Sequence, residues 1–364
     1  MKTTIVTTTI YLPTFLKAYA ENVKRFGHSN VDFIVIGDRK TPEGIQELCE
    51  GIDHCEYWDL NKQVEWLRGA GFYELERHLT ENSISRRNIG HLAAYMRGAD
   101  NIIMLDDDNL ATTQDVIKHH GVAGQCAFRT AYGSSSGWFN VCSALKEKHG
   151  VEFYARGYPP SKRWKDGLIT TETGSFQDVS NGMYKKVAVN AGLWLNDPDI
   201  DALTRLERHL IVTRVNRDMP SSFSLSSGTW SPWNCQNTAI SRSALASYFL
   251  SPHTGRHLDI WASYITTRIA ESMGEIITFG TPLSYHERSP HNLYKDLEQE
   301  LPWIQATDEF CDVLRSIAVP STGYLDGLAA VIDGLKQKWS HPVKDKYLEG
   351  LSAWHNTFKQ LGAR

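Results

Sequence analysis

Residues 101–108 read Asn101-Ile102-Ile103-Met104-Leu105-Asp106-Asp107-Asp108. The unbroken apolar run predicts a strand buried on both faces, as in a parallel sheet. Three aspartates at its end need a partner, because packed together alone they would repel and some would protonate. A divalent cation removes that conflict. Carboxylate oxygens suit Mg2+ or Mn2+, which often bind through one or two carboxylates plus phosphate oxygens. Alternate residues of an extended chain point the same way. Asp106 and Asp108 are therefore expected to share one ion, with Asp107 turned towards a ribose or a backbone amide. The competing reading is a solvated turn in which Asp108-Asn109 caps a helix near Thr112.

The chain before this strand alternates in type. Thr4–Ile10 is β-branched and predicts a strand. Pro13 opens a helical pattern through Phe15, Leu16, Tyr19, Val23 and Phe26 that stops at Gly27. Residues 31–37 form a second apolar run, followed by a short helix over 43–50, a strand over 55–60 and a helix over 85–97. Strands alternating with helices predict βαβ units and a mixed, mostly parallel sheet flanked by helices, with ligands beyond the strands' carboxyl ends. Residues 125–290 are less regular and rich in aromatics and Gly/Ser turns, with a polar loop expected over 170–182. From 292 the composition is helical, with breaks expected at Pro302, Pro320 and Pro342. The organisation expected is a nucleotide-sugar-binding βαβ half (1–124), an acceptor half of the same domain (125–291) and a C-terminal helical extension (292–364).

Composition excludes several functions. Lys and Arg total 38 against 42 Asp and Glu, a formal charge of −4, so nucleic acid is not an expected partner. The six cysteines fit no zinc template and read as free thiols of a reducing compartment. No apolar run approaches the roughly 20 residues of a membrane span, and the threonine-rich start does not resemble a signal peptide. A cytoplasmic protein is expected, with room for a homo-oligomer.

Other residues stand where chemistry is expected. Asp38 ends the second strand and Thr8 lies on the first; both are assigned to the nucleotide side. Arg87 and Asn88 open the helix before the aspartate strand, and a helix N-terminus beside arginine is a ready anion site. Arg156 and Arg163 flank Gly157-Tyr158-Pro159-Pro160 and could clamp a diphosphate. Asp259 is either the N-cap of a helix over 260–273 or a base facing the pocket. His286 follows an apolar segment and could complete a metal shell. Trp194 and Trp261 are either core or stacking surfaces for sugars.

Tyr154-Ala155-Arg156-Gly157-Tyr158-Pro159-Pro160, ending seven residues after Arg156 at Arg163, and Gly192-Leu193-Trp194-Leu195-Asn196-Asp197-Pro198-Asp199 resemble the reversibly glycosylated polypeptide family, which includes plant UDP-arabinopyranose mutases. Asp106-Asp107-Asp108, Asp259-Ile260-Trp261 and Tyr285-His286 match further motifs of that family, in the same order, over about 85–295. The resemblance implies a GT-A glycosyltransferase-like fold, a UDP-sugar donor and Mn2+ or Mg2+ held by Asp106, Asp108 and His286. It also implies that Arg156 is the residue reversibly glycosylated and that Arg163 is needed with it. A guanidinium is protonated at ordinary pH and is a poor nucleophile, so clamping a diphosphate explains an essential arginine equally well.

The chain departs from the family at Trp233-Asn234-Cys235-Gln236-Asn237, where the family has glycines, and at Leu258-Asp259, where it has paired aspartates. A changed acceptor region favours metal-dependent transfer of the sugar to a small-molecule or glycan acceptor. The alternative is a pyranose–furanose mutase that glycosylates itself at Arg156.

Overall fold

The computed structural model describes residues 1–164, 167–172 and 185–363. Among these, fourteen strands make one sheet system: β1 Thr3–Thr8, β2 Val31–Ile36, β3 Cys55–Trp58, β4 Asn101–Leu105, β5 Asn109–Ala111, β6 Cys126–Ala127, β7 Thr130–Ser134, β8 Leu145–Glu147, β9 Ile169–Glu172, β10 Lys185–Asn196, β11 Val212–Val215, β12 Ser222–Leu225, β13 Asn237–Ser241 and β14 Ile276–His286. The main order is β3-β2-β1-β4-β13-β10-β14-β12-β7-β9. The β1–β2, β1–β4, β2–β3 and long β10–β14 pairings are parallel, and β13 runs antiparallel between β4 and β10. This mixed sheet, flanked by helices, is the layout that the GT-A resemblance implies. One sheet passes through both expected halves.

Alternation along the central strands decides the two cores. Val6, Ile34, Ile36, Ile102 and Met104 face one apolar layer. Ile5, Phe33, Val35, Ile103 and Leu105 face the other. Both faces are covered, which is why these strands read as continuous apolar runs. Helix Arg87–Met96 lies close on β1 and β2: a Cβ at Gly90 would sit 2.5 Å from Val6 Cγ1. That close approach fixes the helix start beside the strand ends.

Several expected boundaries moved for local reasons. The third strand stops at Trp58 because Asp59 caps helix Leu60–Gly69, accepting from Lys62 N at 2.7 Å. Asp108 caps no helix near Thr112. Residues Asn109–Ala111 pair instead with β14, and Asp115 caps Val116–His120. Pro302 does not end its helix, which runs Leu293–Ser316. The carbonyl it leaves without a donor belongs to the exposed Glu298. Pro320 and Pro342 do lie between helices. Residues 170–172 close β9, and 173–182 of the expected polar loop lie outside the described residues. All six cysteines are free thiols. Among the described residues no helix is long and apolar enough to cross a membrane.

The C-terminal helices Leu293–Ser316, Tyr324–Lys338 and Lys344–Gln360 cover helix Leu258–Ser272. Trp261 is the hub: it stacks on Phe310 at 4.0 Å and meets Trp303, Trp339 and Tyr347 edge-on. Its indole N–H donates to Thr307 Oγ1 at 3.3 Å. Trp261 is fully buried, so it is core and cannot stack on a sugar. Trp261→Ala should destabilise the chain by about 3–5 kcal/mol. Urea unfolding would show this as a lower midpoint; an unchanged midpoint would contradict the packing described.

Candidate functional site

The carboxyl ends of β1, β2 and β4 meet the start of β13 and the end of β14 at one edge of the sheet. Arg87 holds this junction. Its Nη2 donates to Asp106 Oδ1 at 2.7 Å and to Thr8 Oγ1 at 3.1 Å, and its Nη1 donates to the Cys235 carbonyl at 2.9 Å. Burial alone would lower the pKa of this guanidinium; the surrounding groups outweigh it and keep it raised. The flanking residues turn inward. Arg86 donates to Gln63 Oε1 at 2.8 Å. Asn88 exchanges both its amide bonds with the Leu250 backbone, at 2.9 and 3.1 Å. Asn88 thus ties two backbone segments, is fully buried and lines neither of the site's two cavities, contrary to expectation.

Two cavities share Asp106 and Asp108. One, of ≈ 260 Å³, is lined by Thr8, Thr9, Gly37, Asp38, Arg87 and Asp107 among others. Asp107 accepts from the Thr9 hydroxyl at 2.7 Å, and burial raises its pKa against that bond. Asp38 accepts from Ser83 N at 3.1 Å and Arg39 N at 2.7 Å, which pins the turn after β2 against the start of the helical segment at Ile84.

The second cavity, of ≈ 510 Å³, is lined by Arg156, Asp199, Asp259, His286, Arg205 and Arg288, with other residues. Register brings His286 to Asp108, since β5 pairs Asn109 opposite His286. His286 Nδ1 lies 2.7 Å from the Asp197 carbonyl, and Nε2 lies 3.1 Å from Asp108 Oδ2. A carbonyl only accepts, so Nδ1 carries the proton. Nε2 then faces a carboxylate either as an imidazolium N–H or with its lone pair free for a cation. Burial would lower the His286 pKa, but Asp108 outweighs it and raises it; Asp108 is correspondingly lowered despite its burial. Among the described residues no three His, Cys, Asp or Glu groups form a ready metal cage. Asp106 spends one oxygen on Arg87.

Deeper in this cavity Arg156 spans two carboxylates. Nε and Nη2 donate to Asp199 at 2.9 and 3.1 Å; Nη1 and Nη2 donate to Asp259 at 3.0 and 2.9 Å. Nη1 also donates to the Arg256 carbonyl. Burial disfavours the Arg156 charge, but Asp199 and Asp259 outweigh it and hold its pKa far up. Burial would raise Asp199; Arg156 and Asn234 instead hold it well below the ordinary carboxylate range. Asp259 lies in the first turn of Leu258–Ser272, two residues past the cap position at His257, so it is not the cap.

Two further candidates lie off the cavities. Arg163 pairs with Asp201 and donates to the Tyr158 carbonyl, and it lines neither cavity. Trp194 is buried on β10 and lines neither cavity. Sequence reading missed Asp199, Arg205, Arg256, Arg288 and His291 as cavity-lining groups. The alternating Asp197-Pro198-Asp199-Ile200-Asp201 was the available signal for the first; the basic groups are separated too widely in sequence to show a cluster.

A cleft at strand carboxyl ends, walled by carboxylates and an imidazole, is the kind of site in which open α/β sheets bind nucleotides. Comparison with known proteins narrows the class. No protein-family model matches the chain. It is 30% identical over 179 residues to UDP-arabinopyranose mutase 3 of Arabidopsis thaliana, covering 48% of this chain and 43% of that protein. It is 30% identical over 228 residues to UDP-arabinopyranose mutase 1 of the same plant, covering 59% and 56%. The chain thus spans about half the length of the curated relatives it matches. These are the proteins to which the sequence motifs pointed. Glucosyl-3-phosphoglycerate synthase from Mycobacterium tuberculosis, solved with Mn2+ and UDP-glucose, aligns at TM-score 0.42 and 10% identity over 85% of this chain and 79% of that one.

Asp106 offers a direct check on the site's electrostatics. Burial raises its carboxyl to about 6, against the pull of Arg87 and with the help of Asp108. Its folded value exceeds its unfolded one, so its contribution to stability is present at low pH and is lost as pH rises through about 6. Carboxyl-carbon NMR of the ligand-free chain should show one aspartate titrating there and missing in Asp106→Asn. A wild-type spectrum with every aspartate below pH 5 would contradict this.

Proposed function

We propose that the chain is an enzyme that binds a UDP-sugar across the two cavities and acts at the anomeric carbon. The carrying observation is that Asp106 and Asp108 stand at the boundary of both cavities, with His286 Nε2 facing Asp108. The smaller cavity, with Thr8, Asp38 and Asp107, takes the uridine; the larger, with Asp259 and Asp199, takes the sugar. On this reading residues 1–124 are the nucleotide-sugar-binding half and 125–291 the acceptor and catalytic half of one domain.

The donor set fits a hard divalent cation, Mn2+ or Mg2+. Asp108 and His286 would hold it, with the second oxygen of Asp106, and phosphates and water would complete the shell. His286 already gives its other nitrogen to a carbonyl, the arrangement that orients ligating histidines. Such an ion offsets charge building on a leaving UDP. The chain's own part is to exclude water, orient the sugar and fix the Asp259 carboxyl group beside it through the Arg156 fork.

Of the two reactions at that carbon, the relatives' names favour pyranose–furanose interconversion. Transfer to an acceptor is the second reading, favoured by a cavity of ≈ 510 Å³, within the range of pockets that hold a whole small ligand. Free thiols throughout fit a cytoplasmic setting.

Calorimetry tests the binding claim. Mn2+ should strengthen UDP affinity by about tenfold or more, and His286→Ala should remove that gain. Equal affinity with and without Mn2+ would overturn the metal assignment. Incubation with UDP-arabinopyranose and no acceptor, read by NMR, separates the reactions: furanose product means mutase, whereas released UDP and free sugar mean a transferase without its acceptor.

A further inference from the structure

Arg156 has five N–H donors, and all five are engaged inside the protein. They go to both oxygens of Asp199, both oxygens of Asp259 and the Arg256 carbonyl. The backbone adds a latch, Arg156 N to the Asp199 carbonyl at 2.8 Å. A guanidinium so placed has no donor left for a diphosphate and no lone pair to attack a sugar. Its geometry is that of a clamp that presents two carboxylates.

The two carboxylates differ in what they have left. A carboxylate has about four acceptor sites. Asp259 accepts four N–H bonds, two from Arg156, one from Ile260 N at 2.9 Å and one from Cys235 N at 3.4 Å, and the Cys235 thiol adds a weak fifth at 3.9 Å. Asp199 accepts two from Arg156 and one from Asn234 Nδ2 at 2.6 Å, the last two on Oδ2. Oδ1 of Asp199 therefore keeps one acceptor site. Its side chain is 17% exposed against 7% for Asp259, and both line the same cavity.

We propose that Asp199 recognises the sugar of the bound nucleotide, accepting a hydrogen bond from a sugar hydroxyl at Oδ1, and that Arg156 is its positioning residue. This rests on the UDP-sugar reading above. A charged acceptor held rigidly by a bidentate fork gains a strong bond without ordering cost. Discrimination between sugars then resides in which hydroxyl reaches Oδ1, because a site built for a hydroxyl rejects a ligand that lacks it.

The experiment compares UDP with UDP-arabinopyranose and UDP-glucose, each titrated in Mn2+ into the wild-type chain, Asp199→Ala, Asp199→Asn and Arg156→Lys. Asp199→Ala should leave the UDP Kd within about threefold while weakening at least one UDP-sugar by about tenfold or more. Retained UDP binding certifies that the variant is folded. Asp199→Asn, nearly isosteric, should shift the same ratio in the same direction if the alanine variant does not fold. Arg156→Lys keeps the charge but loses the fork, so it should weaken UDP-sugar selectively too. Parallel loss of UDP and UDP-sugar affinity, or no loss of either, would overturn the assignment. A wild-type chain that binds neither UDP nor UDP-sugar would overturn the UDP-sugar reading itself, and this inference with it.

Discussion

Arg87 is 1% exposed, and its guanidinium joins three segments far apart in sequence: Thr8 on β1, Asp106 after β4 and Cys235 before β13. Removing one partner of a buried ion pair costs about 3–5 kcal/mol, because the other charge is left stranded. Asp106 keeps 30% of its side chain in solvent, so this pair is worth less than that limit. Its larger consequence is geometric. Gly90 lets the helix sit against Val6, which puts Arg87 within reach of the strand ends, and Arg87 in turn fixes where the first aspartate points.

From that fixed point the remaining charges are arranged in alternating sign. Arg87 meets Asp106; Asp108 meets His286; Asp199 and Asp259 meet Arg156. Asp108 and Asp199 are both held below the ordinary carboxylate range despite their burial, Asp108 by His286 and Asp199 by Arg156. Burial opposes all of these charges; the paired groups outweigh it at Asp199, which is lowered, and not at Asp106, which is raised. Catalytic sites commonly hold such divergent acids side by side. The C-terminal helices contribute at a distance, by burying the helix whose first turn carries Asp259.

Sequence reading recovered β1, β2, β4 and the helix at Arg87–Met96 to within a few residues, because apolar periodicity there reflects burial on both sheet faces. It also singled out Asp106, Asp107, Asp108, Asp38, Arg156, Asp259 and His286, all of which line one of the two cavities. It could not see partners. Arg156 and Asp199 are apart in sequence and meet only through the turns after Phe153 and Asn196, so a clamp looked like a lone cation. Asn88 and Trp261 sit beside functional groups in sequence, yet helical rotation turns them into the interior. Pro302 passed through a helix because the bond it forfeits faces water.

The proposed cation would lie between the strand-end acids and β14. Anomalous diffraction from a crystal soaked with Mn2+ and UDP would locate that ion. The prediction is a single strong peak within bonding distance of Asp108 and His286 Nε2, with nucleotide density running from it towards Asp38. A peak elsewhere, or nucleotide bound with the Asp108–His286 hydrogen bond intact, would contradict it.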